Sequence, residues 1–422
     1  MILGESKLSD NGNSNDKKKI TFLWVSDDPW QKTGYGMVGR NVLKRLAKEK
    51  DIEVIALGTQ FRGGEIEYEG YKVVSGFKHP DGFDALGFYI KKYNPDVVVT
   101  LRDIGLQAGY VPAIEEARKN GWTGRWYGYC PLDTKVVVRE WIPIWDRMDG
   151  IIAMSEWGKL TISHHTKDRY KIVTIPHGVD TKVFKPIKEE IRNRLRDAGA
   201  PFSEMFIVGA VGRNQYRKMW YKLFEGFSKF AKDKSDVMLL IHSDSDPVVV
   251  SDGWSYNHIA EKYGMRGKWQ LTYPKLDIQT RFNIDDEKMN EIYNSFDVFC
   301  LPTGGEGFGV PLIEAQAAGV PVVTTAYTTG FELVKGHGEL IPPLKDTYGR
   351  DVTWVGQNGV EFVIPDDNKI AEALQKLYDD KKLREKYSKE SREFSLKYDW
   401  DKINELWVKL IKERPTQLKN ED

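Results

Sequence analysis

Cysteine is almost absent, because the sequence of 422 residues contains only Cys130 and Cys300. Each lies inside an apolar stretch, and two such residues provide neither a disulfide framework nor a metal cluster, so both are predicted to be reduced core thiols. This cysteine usage predicts a cytoplasmic protein. An excess of one charge is also absent, since 62 Lys and Arg residues balance 62 Asp and Glu residues. Dedicated nucleic-acid-binding proteins depend on a basic excess, so the composition argues against nucleic acid as a partner.

Long hydrophobic runs are lacking as well. The longest uncharged stretch, Ala315 to Phe331, has 17 residues, which is fewer than the roughly 20 apolar residues that a membrane-spanning helix needs. Residues 1–19 have no apolar core of a signal peptide and predict a flexible polar tail. The sequence therefore predicts no transmembrane segment, and it leaves peripheral membrane contact and the oligomeric state open.

Hydrophobic residues make up 41% of the chain, which is enough for more than one core. Short runs rich in Val and Ile alternate with helical patterns, which is typical of parallel α/β sheets. A segment rich in turn formers, residues 176–186, interrupts this alternation, and the same order then begins again. The eleven predicted strands would be unusual in a single sheet, so the sequence predicts an α/β fold of two doubly wound, Rossmann-like domains that face each other across a cleft. The predicted strands are Ile20–Val25, Ile52–Leu57, Val97–Leu101, Trp126–Cys130, Gly150–Met154, Ile172–Ile175, Phe206–Gly212, Val237–His242, Trp269–Thr272, Phe296–Leu301 and Val320–Thr325.

The most informative stretch runs from Leu301 to Thr324 and reads as a strand, a glycine-rich loop, a helix and a second strand. Pro311 suits the first helical turn and Gly319 the residue just past the helix end. The loop would then present backbone N–H groups at a helix N-terminus, which is an anion site. Glu306 lies in the loop, and Glu314 is predicted in the first turn of the helix. Both carboxylates are suited to accept hydrogen bonds from the hydroxyls of a sugar or a ribose.

This stretch resembles the Glu-x(7)-Glu motif of retaining glycosyltransferases, in particular glycosyltransferase family 4. The resemblance extends over residues 20–410. Residues 211–218 are similar to the segment that opens the family's second domain, residues 177–186 to its interdomain crossover, and residues 398–400 to its C-terminal segment that returns to the first domain.

The resemblance implies the GT-B fold, with a C-terminal helix that returns to the first domain. The predicted units are a flexible tail over 1–19, an N-terminal Rossmann-like domain on the acceptor side over 20–186, a C-terminal Rossmann-like donor domain over 187–395, and a C-terminal helix over 396–422. The implied activity is the transfer of a hexose, with retention, from a nucleotide diphosphate sugar to a hydroxyl acceptor such as a glycan, a lipid or a small molecule. Neither a cofactor nor a metal is implied.

The resemblance also implies roles for particular residues. Arg213 and Lys218 would bind the donor diphosphate, Glu306 would orient the transferred sugar and Glu314 would bind the ribose. Asp133, at the end of a predicted strand, would touch the donor sugar, although a helix N-cap is an equal alternative for this residue. The main chain is expected to contact the donor at a set of loop residues: Gly34, Gly36, Gly307, Phe308, Gly309 and Val310.

Other patterns in the sequence suggest alternatives. Residues 34–39 form a literal Gly-x-Gly-x-x-Gly, but eight residues separate the first strand from Gly34 and the second strand lacks the acidic residue expected for an NAD ribose. Asp244 and Asp246 form a literal metal-binding Asp-x-Asp, which is more typical of a solvated loop in this context. A nucleotide-sugar epimerase, a phosphorylase or a catalytically silent sugar-nucleotide-binding module are the alternative functions. The sequence identifies neither the nucleobase and sugar of the donor nor the acceptor, and it assigns no role to the connection over residues 342–359.

Overall fold

The computed structural model describes residues 19–190, 192–193, 204–243, 253–272, 284–356 and 359–413. The two aspartates of the Asp-x-Asp sequence, Asp244 and Asp246, lie outside the described residues. The predicted tail, apart from Lys19, lies outside them as well.

The first domain is built on a sheet of eight strands. These are β1 (Ile20–Ser26), β2 (Ile52–Gly58), β3 (Glu65–Tyr68), β4 (Tyr71–Ser75), β5 (Val97–Leu101), β6 (Arg125–Cys130), β7 (Gly150–Ala153) and β8 (Ile172–Thr174). Their order is β3-β4-β2-β1-β5-β6-β7-β8, and every neighbouring pair is parallel except β3 with β4. The central strands are apolar and buried almost throughout, as expected for a sheet covered on both faces. Its helices are α1 (Gly34–Leu46), α2 (Phe83–Tyr93), α3 (Val111–Lys119), α4 (Ile142–Trp145) and α5 (Glu156–Thr166).

The second domain is built on a parallel sheet of six strands. These are β9 (Phe206–Val211), β10 (Val237–His242), β11 (Trp269–Leu271), β12 (Val298–Leu301), β13 (Val322–Thr325) and β14 (Glu339–Ile341), in the order β11-β10-β9-β12-β13-β14. A separate antiparallel hairpin follows, with strands β15 (Thr353–Val355) and β16 (Glu361–Val363). The described helices from here to the C-terminus are α6 (Trp220–Phe230), α7 (Tyr256–Lys262), α8 (Asp286–Asn294), α9 (Val310–Ala317), α10 (Thr329–Val334), α11 (Asp367–Asp379), α12 (Lys381–Ser395) and α13 (Trp400–Lys412).

The predicted fold class is confirmed, and each predicted strand corresponds to an observed one within one or two residues. Five further strands were not predicted, namely the hairpin β3–β4, the edge strand β14 and the hairpin β15–β16. Most of them are short and partly exposed, so they lack a buried apolar run. The turn between β3 and β4 is formed by Glu69 and Gly70, both with positive φ, as the two-residue turns of hairpins require.

The two segments that connect the domains lie side by side. The backbone N–H of Val179 donates to the carbonyl oxygen of Tyr398 at 2.8 Å, and that of Trp400 donates to the carbonyl oxygen of Val179 at 3.2 Å. Beyond this crossing, α13 packs on the first domain, where the ring of Trp407 lies 5.5 Å from that of Trp24. The chain therefore returns to the first sheet at its C-terminus, as the sequence predicts. The exact domain boundaries stay a prediction.

At this crossing Gly178 meets Trp400 closely. A Cβ atom on Gly178 would lie 2.5 Å from Cδ2 of the Trp400 indole, which is held in the core. We expect Gly178→Ala to lower the free energy of unfolding by about 1–3 kcal/mol, because the indole cannot move without disturbing its packing. Urea unfolding measures this change. The control is Gly105→Ala, at which a Cβ would meet open space, and an equal loss in both variants would contradict the assigned clash.

Candidate functional site

The glycine-rich loop joins β12 to α9 at the carboxyl edge of the second sheet. Gly309 precedes the helix with a φ of 97°, which favours glycine, and no described side chain caps this N-terminus. Pro311 lies in the first turn and Gly319 just past the end with a φ of 75°, both as predicted. Glu314 is the fifth residue of α9 and so lies in its second turn, which corrects the predicted first-turn position.

Glu306, within this loop, is held by two cations. Its Oε1 lies 2.6 Å from Nζ of Lys218, and its Oε2 lies 3.1 Å from Nη1 of Arg217. The side chains of Glu306 and Lys218 are each only 6% exposed. Burial alone would raise the pKa of Glu306, but the charges of Lys218 and Arg217 outweigh it and lower this pKa to about 2. The carboxylate is therefore ionised at every pH at which the protein would be used.

Glu314 has very different surroundings, although it is eight residues further along. Its Oε2 accepts a hydrogen bond of 2.7 Å from the hydroxyl of Tyr293 on α8, and both side chains are buried. Burial raises the pKa of Glu314 to about 8, and the bond from Tyr293 only partly opposes this shift. Glu314 therefore has one hydrogen bond to a hydroxyl group, whereas Glu306 has two ion pairs.

The first domain reaches this loop through the segment after β6. A Cβ atom on Gly307 would lie 2.8 Å from Cβ of Pro131, and one on Gly305 would overlap the carbonyl oxygen of Asp133. Asp133 is half-buried, and its pKa is raised to about 6 by burial, against the opposing charge of Arg217 and with reinforcement from Asp103 and Glu306. Because both glycines lack a side chain, the segment that carries Asp133 can approach the loop that carries Glu306.

The loop before α1 contributes to the same cleft. Thr33 caps this helix by accepting a hydrogen bond from the N–H of Gly36 at 3.0 Å. Gly36 is buried, with a Cβ position 2.6 Å from the carbonyl oxygen of Gln31, whereas Gly34 is exposed. Between them, the hydroxyl of Tyr35 donates to the carboxylate of Asp103. Burial, together with the charges of Asp103 and Asp133, raises the pKa of Tyr35 well above its usual range, while Arg217 opposes the shift.

The structure thus brings together Glu306, Lys218 and Asp133, and it adds Arg217, which the sequence analysis did not single out. Arg213 instead is exposed, beyond the end of β9. The side chain of Phe308 is buried against the rings of His177 and Tyr398, at 5.1 and 5.8 Å, so it packs on the domain crossing. Its side chain is therefore not available to a ligand, and the two glycines beside it, Gly307 and Gly309, offer only their main chain.

The β15–β16 hairpin supports the site from one side. The N–H of Val363 donates to the carbonyl oxygen of Gly304 at 3.1 Å, and the N–H of Glu361 donates to Oγ1 of Thr134 at 3.3 Å. The connection over 342–359, for which no role was predicted, includes β15. This strand pairs with β16, which makes both contacts, and we call this hairpin the β15–β16 arm.

Two features are absent from the described ranges. They contain no group of three or more His, Cys, Asp and Glu side chains that could hold a metal ion. None of the helices within them is long and apolar enough to cross a membrane.

Comparison with known proteins links this site to a family. Residues 191–394, which include the Glu306 loop, match the model of "Glycosyl transferases group 1". Over these residues the chain is similar to the glycosyltransferases of this group. The mannosylfructose-phosphate synthase of Agrobacterium fabrum is 28% identical over 161 residues, 38% of this chain and 33% of that protein. The D-inositol 3-phosphate glycosyltransferase of Corynebacterium urealyticum is 24% identical over 249 residues, 58% of this chain and 52% of that protein. The alignments thus span about a third to a half of these relatives.

Solved structures support the fold over nearly the whole chain. Sucrose-phosphate synthase from Thermosynechococcus elongatus superimposes with a TM-score of 0.74 at 19% identity, over 93% of this chain and 98% of that chain. HepE of Anabaena, in complex with UDP and glucose, superimposes with a TM-score of 0.67 at 13% identity, over 93% and 99% of the two chains. At such identities the likeness establishes the architecture.

Because the carboxyl group of Glu314 is buried, we expect the stability of the protein to depend on pH. Its pKa is about 8 in the fold against an ordinary value of 4.5, so folding favours the protonated form. The wild type should lose stability relative to Glu314→Gln as the pH rises from about 4.5 to 8, by up to about 1.4 kcal/mol per pH unit. Thermal unfolding across this range measures the difference.

The control for this prediction is Glu287→Gln, at an exposed position of α8. This variant makes the same substitution at an exposed site, so it reports the effect of the change from Glu to Gln by itself. A constant difference between wild type and Glu314→Gln from pH 4.5 to 8 would contradict the burial argument.

Proposed function

We propose that the protein transfers a sugar, with retention, from a nucleotide diphosphate sugar to a hydroxyl acceptor, and that it needs neither a metal nor a cofactor. The observation that carries this proposal is the combination of a helix N-terminus without a side-chain cap, two cations and two buried glutamates around one loop. The match of residues 191–394 to the glycosyltransferase model supports it, and so does the HepE structure, which contains UDP and glucose. The two buried cysteines, neither in a disulfide, are in keeping with a cytoplasmic location.

The donor would lie with its diphosphate at the N-terminus of α9. As the glycosidic bond breaks, negative charge grows on the departing phosphate, and Lys218, Arg217 and the amides over residues 307–310 would stabilise it. Arg213, although exposed, would approach the same diphosphate from the end of β9. Removing one preorganised contact of this kind costs about 3–4 kcal/mol of transition-state stabilisation in other enzymes. This positive charge serves the purpose of a divalent ion in metal-dependent transferases.

The two glutamates would divide the recognition of the donor. Glu314, deeper along α9, would accept hydrogen bonds from the ribose hydroxyls, and Glu306 would face the transferred sugar. Retention requires the acceptor hydroxyl to attack from the face that the phosphate leaves, so the departing phosphate itself can take the proton of that hydroxyl. Asp133, across the cleft from Glu306, would then bind the sugar or the acceptor through its ionised carboxylate.

The direct test is to incubate the protein with UDP-, GDP- and ADP-sugars and to measure the release of nucleoside diphosphate. We expect slow hydrolysis of at least one donor, which should survive EDTA and fall by about 10²- to 10³-fold in Lys218→Met. Saturable binding without turnover of any donor would instead favour a silent binding module. If EDTA abolished the hydrolysis and Mg²⁺ or Mn²⁺ restored it, the metal-independent mechanism would be wrong. Asp244 and Asp246 would then be the candidate metal ligands.

The titration of Asp133 should determine how kcat/KM falls at acidic pH. Because its pKa is about 6, kcat/KM should fall as the pH drops below about 6 and this carboxylate is protonated. Asp133→Asn should have lower activity and lack this acidic limb of the pH profile. A limb near pH 6 that persists in Asp133→Asn would show that another group titrates and would remove Asp133 from the mechanism.

A further inference from the structure

The ion pairs of Glu306 occupy the same cations that a donor diphosphate needs. Lys218 and Arg217 both direct their charged groups at this single carboxylate, at 2.6 and 3.1 Å. We propose that Glu306 is a displaceable internal counter-ion: the diphosphate takes its place beside Lys218 and Arg217, and the released carboxylate turns to the transferred sugar. This inference rests on the proposed function and adds to it a competition between the protein's own carboxylate and the ligand.

Electrostatics explain why a counter-ion is needed. The side chain of Lys218 is 6% exposed and that of Arg217 is 28% exposed, and a buried charge without a partner is strongly destabilising. Burial lowers the pKa of Lys218, and the charge of Glu306 opposes this shift. Glu306 therefore helps to keep this lysine charged inside the protein.

A diphosphate is a better partner for the two cations than one carboxylate. It carries more negative charge and several acceptor oxygens, and the planar guanidinium of an arginine matches the geometry of phosphate oxygens. The exchange therefore replaces a weaker charge pairing with a stronger one, so that ligand binding itself can drive it.

The main chain around Glu306 is fixed, so the exchange needs only a rotation of its side chain. The N–H of Glu306 donates to Oγ1 of Thr328 at 3.0 Å, and its carbonyl oxygen accepts a bond of 3.1 Å from Oγ1 of Thr329. Arg217 also donates to the carbonyl oxygen of Gly305 at 3.1 Å. Both the loop and this guanidinium thus keep other contacts when the carboxylate leaves.

The proposal predicts that removing the charge of Glu306 strengthens the binding of anions. The probe is inorganic pyrophosphate, which has neither ribose nor sugar, and UDP is used in parallel. By calorimetry, Glu306→Gln should bind pyrophosphate about tenfold more tightly than the wild type, because the ligand no longer competes with a carboxylate. Glu306→Asp, which keeps the charge on a shorter side chain, should lie between the two.

Glu314→Gln is the matched control, since it changes the second glutamate of the motif, whose partner is the hydroxyl of Tyr293 rather than a cation. It should leave pyrophosphate affinity unchanged and weaken the binding of UDP. If Glu306→Gln unfolds at the temperature of the titration, the rise of its melting temperature with pyrophosphate gives the same information, and it should exceed that of the wild type. An affinity of Glu306→Gln or Glu306→Asp for pyrophosphate equal to or below that of the wild type would overturn the proposal.

The outcomes separate this inference from the proposed function. If the wild type binds UDP and pyrophosphate in a manner that Lys218→Met abolishes, but Glu306→Gln does not bind more tightly, only the counter-ion role fails. If the wild type binds neither ligand, the anion site itself is absent, and the proposed transfer reaction fails with it.

Discussion

The close approach of two loops from different domains is the constraint on which the site depends. Gly305 and Gly307 lie against the main chain and ring of Pro131 to Asp133 at distances that leave no room for a Cβ atom. A side chain at either position would push the two loops apart. The electrostatic interactions of Asp133 with Arg217 and Glu306 would then weaken. The glycines of the loop therefore allow the two domains to come into contact, and they also allow an anion to approach the main chain.

The approach of the two loops is supported on both sides of the cleft. On one side, the β15–β16 arm bonds the glycine-rich loop through Val363 and the first domain through Glu361. On the other, Phe308 packs against His177 and Tyr398, which belong to the two segments that cross between the domains. A change in the angle between the domains would have to move the loop that holds Glu306. The relative position of the domains and the geometry of the site are thus coupled through packed side chains.

The sequence was sufficient for the architecture because buried parallel strands are continuous apolar runs, and the central strands β1, β5 and β12 are of this kind. The motif around Glu306 could be found because its glycines and its helix signals are local. Arg217 and Tyr293 could not be identified in this way. Their importance comes from contacts across 89 and 21 residues of chain, and no local pattern marks them. The exposed strand β3 and the short arm strands were missed because they bury too little to show a periodicity.

The two glutamates of the motif show how strongly position within a fold determines the chemistry of one residue type. Both are buried, and burial alone raises the pKa of either carboxyl group. Glu306 shares its site with two cations, so its pKa falls to about 2, whereas Glu314 has the hydroxyl of Tyr293 as its partner and its pKa rises to about 8. A carboxylate that is always ionised, such as that of Glu306, is suited to exchange ion-pair partners. A buried carboxyl group that is mostly protonated at neutral pH, such as that of Glu314, is suited to hydrogen-bond hydroxyl groups. The spacing of seven residues between them allows this difference, because it places one carboxylate in the loop beside Lys218 and Arg217 and the other in the second turn of α9, against α8.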